Sequence, residues 1–441
     1  MNPPFKLTVS LKKYAGNISW ALLEKFLRLL VSLFIGIYVA RYLGPNNFGV
    51  LSYAFSLVAL FQFMVSLGLE KIVVRSIIKK KADANSTLGS AFVLKITGST
   101  FLLLTVFIVL YFTKNSFKET VIVVIIAVGM LFSPFKVIEL FFQSQSQFRF
   151  IAIANSVSVI SSSILKLFLI LLQADLVWFA AAAVGEQLIL GIILIFFYTK
   201  FNISIFQWKF DYSVANDLFA NSWPLLLSSM TIMIYMRIDQ VMIKLFLGVE
   251  AVGIYSAAVK ISELWYFIPV AINQAIFPAL ISTKRCNHER YIKNLQHLYD
   301  MMVWIAFAIS FAIWLFSEPL ISNLFGYQYI EASSVLAIHV WSCIFVFLGV
   351  SNTNWILIEN LQIYSFYRTL IVAVVNVLLN FILIPNIGVR GAALATLISY
   401  AIASYFSMFF FRPSRLNFYL SSKSFNPLTV FRRTKNIYKT I

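Results

Sequence analysis

The chain has 441 residues, 60% of them hydrophobic and 12% charged, with a net charge of +18. A soluble domain carries about 25% charged residues, so the composition excludes an ordinary cytosolic enzyme and indicates a membrane protein. Its two cysteines, Cys286 and Cys343, are too few and too far apart for a disulfide framework or a thiol metal site.

Taken in chain order, apolar runs long enough to cross a bilayer occupy 16–41, 48–68, 88–112, 120–142, 151–172, 176–199, 217–246, 253–282, 297–317, 333–357, 367–385 and 391–411. The pattern predicts an all-α integral membrane protein with twelve transmembrane helices. The first run is too long for a cleaved leader and lacks a small-residue cleavage site, so it is expected to be retained. Loops are short and leave no room for a soluble domain. The stretch KRCNHERYIKNLQH at 283–296 is expected to form a surface helix, and a basic tail with Pro413 and Pro427 follows from Arg412. If both ends are cytosolic, the outside loops hold only Arg41, Lys114, Lys118 and Arg390, while the cytosolic segments hold most of the remaining bases. That asymmetry predicts cytoplasmic N- and C-termini. The basic tail is expected to lie on anionic lipid headgroups and not on nucleic acid.

The chain writes one pattern twice. Asn17, Leu43, Gly44, Gly49, Ser52 and Ala54 recur as Asn221, Leu247, Gly248, Gly253, Ser256 and Ala258, each 204 residues on. Six predicted spans separate the copies, and an even number preserves orientation. This is therefore a parallel repeat about an axis along the membrane normal, with binding expected between the halves. The expected organisation is an N-terminal six-helix lobe over 1–200, a C-terminal six-helix lobe over 201–411, and a cytosolic tail over 412–441. The glycines suit tight turns.

Charges inside the spans carry the functional signal. The bases are Lys25, Arg28, Lys95, Lys136, Lys166, Arg237, Lys244 and Lys260; the acids are Glu24, Glu139, Glu186, Asp239 and Glu263. Each costs about 2.5–3.5 kcal/mol at mid-membrane, so each must pair, snorkel or face a polar interior. Asn17, Glu24, Arg28 and Ser32 share one helical stripe, and Glu24 can pair with Arg28 at i,i+4. Lys260 can pair with Glu263 at i,i+3. Arg237 and Asp239 are two apart and point to different sides, whereas Arg237 and Lys244 share a face. Asn17, Lys25, Arg28, Asn221, Arg237, Lys244 and Lys260 are the candidate substrate contacts; Glu24, Asp239 and Glu263 are the candidate ion-coupling carboxylates. Lys95, Lys136, Lys166 and Glu186 read equally well as residues that hold helices together. No Walker motif occurs, and His288, His297 and His339 are scattered. The chain is therefore expected to be neither an enzyme nor a metalloprotein, with no cofactor beyond a coupled H+ or Na+. Tyr111, Trp178, Tyr198, Trp208, Tyr327 and Tyr329 are expected as interfacial aromatic anchors.

The segments GNISWALLEKFLRLL, ARYLGPNNFGVLSYA, NSWPLLLSSMTIMIYMRIDQVMI, GIYSAAVKISELWYFIPVAINQAIFPAL and IPNIGVRGAALATLISYAIA occur in this order. In order and spacing the chain resembles the Wzx-type polysaccharide flippases, relatives of the lipid II flippases and the MATE-type drug exporters. The resemblance implies a MATE-like V-shaped bundle of two lobes working by alternating access. It implies transport of an undecaprenyl-diphosphate-linked oligosaccharide, such as an O-antigen unit, from the cytoplasmic to the periplasmic leaflet of a bacterial inner membrane. The implied partners are a polysaccharide polymerase and a chain-length regulator. Arg237, Asp239, Lys260 and Glu263 look like that family's polar residues of the seventh and eighth spans, and Asn17, Glu24 and Arg28 like those of its first. Bases outnumber acids eight to five within the spans, which suits an anionic substrate. A cation-coupled multidrug exporter of the MATE type is the alternative.

Overall fold

The computed structural model describes residues 5–79, 83–201, 204–359, 361–430 and 433, and side chains apart from those of 5–26 and 362. The described residues form helices and no strands. The principal helices are α1 (Phe5–Leu60), α2 (Ala84–Phe112), α3 (Phe117–Ser144), α4 (Phe148–Leu171), α5 (Leu176–Lys200) and α6 (Tyr212–Leu247), then α7 (Val249–Cys286), α8 (His288–Leu315), α9 (Ala332–Ile358), α10 (Gln362–Ile387), α11 (Val389–Phe410) and α12 (Arg415–Ser424).

Ten helices among the described residues are long and apolar enough to cross a membrane, against twelve apolar runs in the sequence. The difference has two sources. The runs 16–41 and 48–68 fall largely on α1, whose two helical stretches meet at the non-helical Gly44 and are counted once. Helix α6 is 36 residues long but carries Asn221, Ser222, Pro224, Ser228, Ser229, Thr231, Arg237, Asp239 and Lys244, and does not count among the ten. Helices that face lipid leave apolar side chains uncovered: α2 exposes Phe101, Leu104, Phe107, Ile108, Tyr111 and Phe112 on its outer surface.

The chain divides into two compact units, Met1–Ile238 and Asp239–Ile441, and the division falls inside α6. The first unit packs around Leu69, Leu88, Val137, Phe142, Leu194 and Tyr198. The second packs around Tyr291, Leu295, Tyr299, Phe347, Leu348 and Trp355. Lys166 and Glu186 meet at 3.3 Å and tie α4 to α5.

The sequence repeat has a backbone counterpart. Gly44 has φ 72°, ψ 169°, and Gly248, 204 residues later, has φ 90°, ψ 177°. That region of backbone space belongs almost solely to glycine. Nothing lies within 4 Å of where a Gly248 Cβ would sit, so the turn requires its conformation, not its small size.

Two expectations are corrected. The stretch 283–296 is not a separate surface helix. It spans the end of α7 and the start of α8, with the Asn287 side chain accepting from the Arg290 N–H at 2.9 Å and with Tyr291 and Leu295 fully buried. Tyr198 and Tyr329 are not interfacial anchors but core residues at 0% exposure. Tyr198 is drawn inward by the indole of Trp208, which donates to its hydroxyl at 3.0 Å. The start of the tail is also packed on protein. Arg433 donates to both carboxylate oxygens of Asp300 at 3.0 and 2.8 Å, and Ser424 on α12 donates to the same group at 2.6 Å.

Candidate functional site

Two helical hairpins in the second unit build a buried polar cluster. Gly248 turns α6 into α7, and Gly388, with φ 65°, turns α10 into α11. Asp239 lies nine residues before the first turn and Tyr255 seven after it. Asn380 lies eight residues before the second turn and Thr396 eight after it. At 1.5 Å per residue, all four stand about 10–14 Å from the turns. In a hydrocarbon core about 30 Å thick this is close to mid-membrane.

At that level Asp239, only 4% exposed, accepts three hydrogen bonds. Tyr255 Oη donates at 2.8 Å and Thr396 Oγ1 at 2.5 Å, both to Oδ2. Asn380 Nδ2 donates to Oδ1 at 2.6 Å and also approaches Asn376 Oδ1 at 3.0 Å, one helical turn away. Asn380 Oδ1 and Asn376 Nδ2 are buried without partners. The site thus holds a carboxylate ringed by three donors, two hydroxyls on Oδ2 and one amide N–H on Oδ1, which leaves Oδ1 with acceptor capacity to spare. A carboxylate oxygen with a free lone pair suits a proton or a hard cation. Among the described residues no group of three or more His, Cys, Asp or Glu gathers to hold a transition metal.

The other residues singled out by sequence are distributed as follows. Asn17, Glu24 and Lys25 lie outside the residues whose side chains are described. Arg28 is half-buried and close enough to Glu139 for its charge to act on that carboxylate. Asn221 is exposed and spends its amide on the Asp217 carbonyl at 2.6 Å, one turn back. Arg237 is half-buried and has no hydrogen bond or ion pair among the described residues. Lys244 is buried; Lys260 and Glu263 are half-buried on α7. The cluster brings together only Asp239 from the sequence-derived set. Asn376, Asn380, Thr396 and Tyr255 were not singled out. The asparagines did leave a signal: two amides at i,i+4 in the apolar run VAVVNVLLNFILI lie on one helix face.

Comparison with known proteins fits this architecture. A family profile described as "Polysaccharide biosynthesis protein" matches residues 14–284. The probable low-salt glycan biosynthesis flippase Agl15 of Haloferax volcanii is 26% identical over 50% of this chain and 47% of its own length. The probable flippase AglR of the same organism is 25% identical over 39% of this chain and 37% of its own length. The chain thus matches less than half the length of either relative. The capsular polysaccharide biosynthesis protein CapF of Staphylococcus aureus is 22% identical over 90% of this chain and 98% of its own. Among solved structures, an inward-facing multidrug resistance MATE family transporter superposes with a TM-score of 0.72 at 17% identity, covering 90% of this chain and 96% of its own. The lipid II flippase MurJ in an inward closed conformation superposes with a TM-score of 0.69 at 16% identity, covering 96% and 93%. At such identities the likeness establishes the fold alone.

Proposed function

The chain, a multi-pass membrane protein, belongs to the polysaccharide biosynthesis protein family, and on that premise we propose that it is a flippase for an undecaprenyl-diphosphate-linked oligosaccharide. The oligosaccharide moves from the cytoplasmic to the periplasmic leaflet of a bacterial inner membrane by alternating access. The observation that carries this reading is Arg237. It is a half-buried guanidinium on a membrane-length helix with no acceptor among the described residues. Its N–H donors are available to a ligand, and a planar fork of donors matches a phosphate bidentately. A transporter of cationic drugs has no use for an uncompensated positive charge there.

The Asp239 cluster supports coupling to an ion gradient. A carboxylate near mid-membrane gains or loses a proton, or takes and releases Na+, without leaving its hairpins, and Oδ1, which accepts a single hydrogen bond, has a lone pair free for either ion. Substrate binding and ion binding then occupy different residues of one helix. Arg237 and Asp239 stand two positions apart on α6 and point to different sides.

The test is export of the lipid-linked glycan in cells that depend on this chain. Arg237→Ala abolishes export while the protein still accumulates in the membrane, and Arg237→Lys retains part of it because the charge remains but the fork is lost. Full export by Arg237→Ala overturns the assignment. Export of a cationic dye with unchanged surface glycan points to the exporter instead.

A further inference from the structure

No Asp or Glu follows Glu359 in the chain, whereas bases continue almost to its end. Helix α12 lies in this stretch and has two unlike faces. Asn417, Leu420, Ser421 and Ser424 are buried, and this face is bound to the second unit. Asn417 Nδ2 donates to Asn352 Oδ1 at 3.1 Å, and Gln296 Nε2 of α8 donates to the Leu420 carbonyl at 3.0 Å. On the opposite side Arg415, Tyr419 and Lys423 recur every fourth residue, with Leu416 beside them, and all four are exposed. Arg412, in the 3-10 turn that leads into α12, is exposed as well. The outer face thus joins three bases to one aliphatic and one aromatic side chain, with no acid among them. Two of the bases lie over rings. The Lys423 ammonium is 4.1 Å from the centroid of Tyr419, and the Arg415 guanidinium is 5.7 Å from that of Phe409.

Two features set the depth of this face. Helix α11 has 22 residues, about 33 Å at 1.5 Å per residue, close to the ~30 Å of hydrocarbon it has to cross. Only Phe411 and the 3-10 turn Arg412–Ser414 separate it from α12, a rise of roughly 8 Å at about 2 Å per residue. The headgroup layer on each side of the hydrocarbon is itself about 5–8 Å deep. Phe409 and Phe410 at the end of α11 are exposed, as lipid-facing residues are, and Arg415 Nε reaches back to the Phe409 carbonyl at 3.3 Å. The second feature is the register on α8. Helix α12 is bonded to it at Gln296 and Asp300, where the apolar run 297–317 begins. A helix at this depth with bases, Leu and Tyr on its free side has the make-up of an interfacial amphipathic helix. Nucleic acid or an acidic soluble protein accounts for the bases but leaves Leu416 and Tyr419 without a role. An anionic membrane surface uses both.

We propose that the outer face of α12 docks on anionic phospholipids of the leaflet it meets, with Arg412, Arg415 and Lys423 on headgroup phosphates and Leu416 and Tyr419 among the upper acyl chains. This docking does not depend on the flippase reading and holds or fails without it. The test uses the full chain reconstituted in phosphatidylcholine vesicles. Leu416→Cys carries a fluorophore in a Cys286→Ser background, since Cys286 is exposed and Cys343 buried. Quenching of the fluorophore is compared between phosphatidylglycerol and phosphatidylcholine, each brominated high on its chains and added at the same mole fraction. Each base near an anionic surface contributes about fivefold in affinity, so phosphatidylglycerol is expected to associate roughly 5- to 100-fold more strongly than phosphatidylcholine. Salt at about 1 M, where the screening length falls to ~3 Å, removes the preference. Arg412→Gln, Arg415→Gln and Lys423→Gln together abolish it, and the fold is kept because all three side chains are exposed. Arg412→Lys with Arg415→Lys, which keeps the charge, retains it. Equal quenching by the two lipids without the charge substitutions, a preference that survives the triple substitution, or one lost in the lysine variant overturns the proposal. Quenching by neither lipid means that the face stands in water, which overturns it as well.

Discussion

Replacing Asp239 by asparagine tests whether the buried carboxylate works through its charge or through its hydrogen bonds. It now accepts from Tyr255, Thr396 and Asn380 at 2.8, 2.5 and 2.6 Å. The substituted amide keeps one oxygen for the two hydroxyls and presents an NH2 toward the Asn380 NH2. That clash is relieved by rotating the Asn380 amide, whose Oδ1 is buried and unpartnered, so that this oxygen accepts instead. Three hydrogen bonds survive, each falling from the ~1.5–3 kcal/mol typical of charged partners to the ~0.5–1.5 of neutral ones. Relief from burying a charge offsets part of that loss. The net cost is about 2 kcal/mol, or a Tm fall of about 4–8 °C for a unit of this size. Transport in cells is then followed while the Na+ and the proton gradients are collapsed one at a time. Asp239→Asn is expected to remain folded and to lose its dependence on whichever gradient drives the wild type. Tyr255→Phe is the control: it removes one donor at a similar cost in stability but keeps the carboxylate, so gradient dependence persists. Wild-type gradient dependence in Asp239→Asn, or its loss in both variants, refutes the coupling role.

Three further outcomes are expected. Gly248→Ala and Gly44→Ala should each cost about 1–3 kcal/mol through backbone strain, read as a fall in the Tm of the purified protein; an unchanged Tm at either position would show that the turn relaxes and that the two glycines are not equivalent. Native Cys286 is exposed in a stretch assigned to the cytosolic side, so an impermeant thiol reagent should label it only after the cells are opened, and labelling of intact cells would invert the topology. Arg433→Ala should cost about 1–3 kcal/mol by removing the charged hydrogen bonds to Asp300 and should make the segment after Ser424 more sensitive to protease, whereas unaltered proteolysis would mean that the pair does not hold the tail.

The sequence by itself determined the class, the repeat and the position of the first unusual charges. Hydropathy is a local property of each segment, so the spans could be read one at a time. The Gly44 and Gly248 turns were legible because a conformation open almost only to glycine leaves a fixed letter at a fixed offset. Asp239 was legible because one carboxylate in an apolar run is expensive wherever it points. The structure alone decided what surrounds it. Asn376, Asn380 and Thr396 are ordinary residues until Gly388 folds α10 back on α11, and Tyr255 until Gly248 folds α6 back on α7, which sets their side chains at the depth of Asp239. Lys95 and Lys136 read equally well as packing residues, since the sequence does not show that α2 and α3 set them around a common cavity. Tyr198 was misplaced for a related reason. An aromatic ring near a span end suits an interface or a core equally, and only the Trp208 indole, ten residues on, brings it inside. Burial and partnership depend on which segments meet, and that is a property of tertiary packing that no single segment carries.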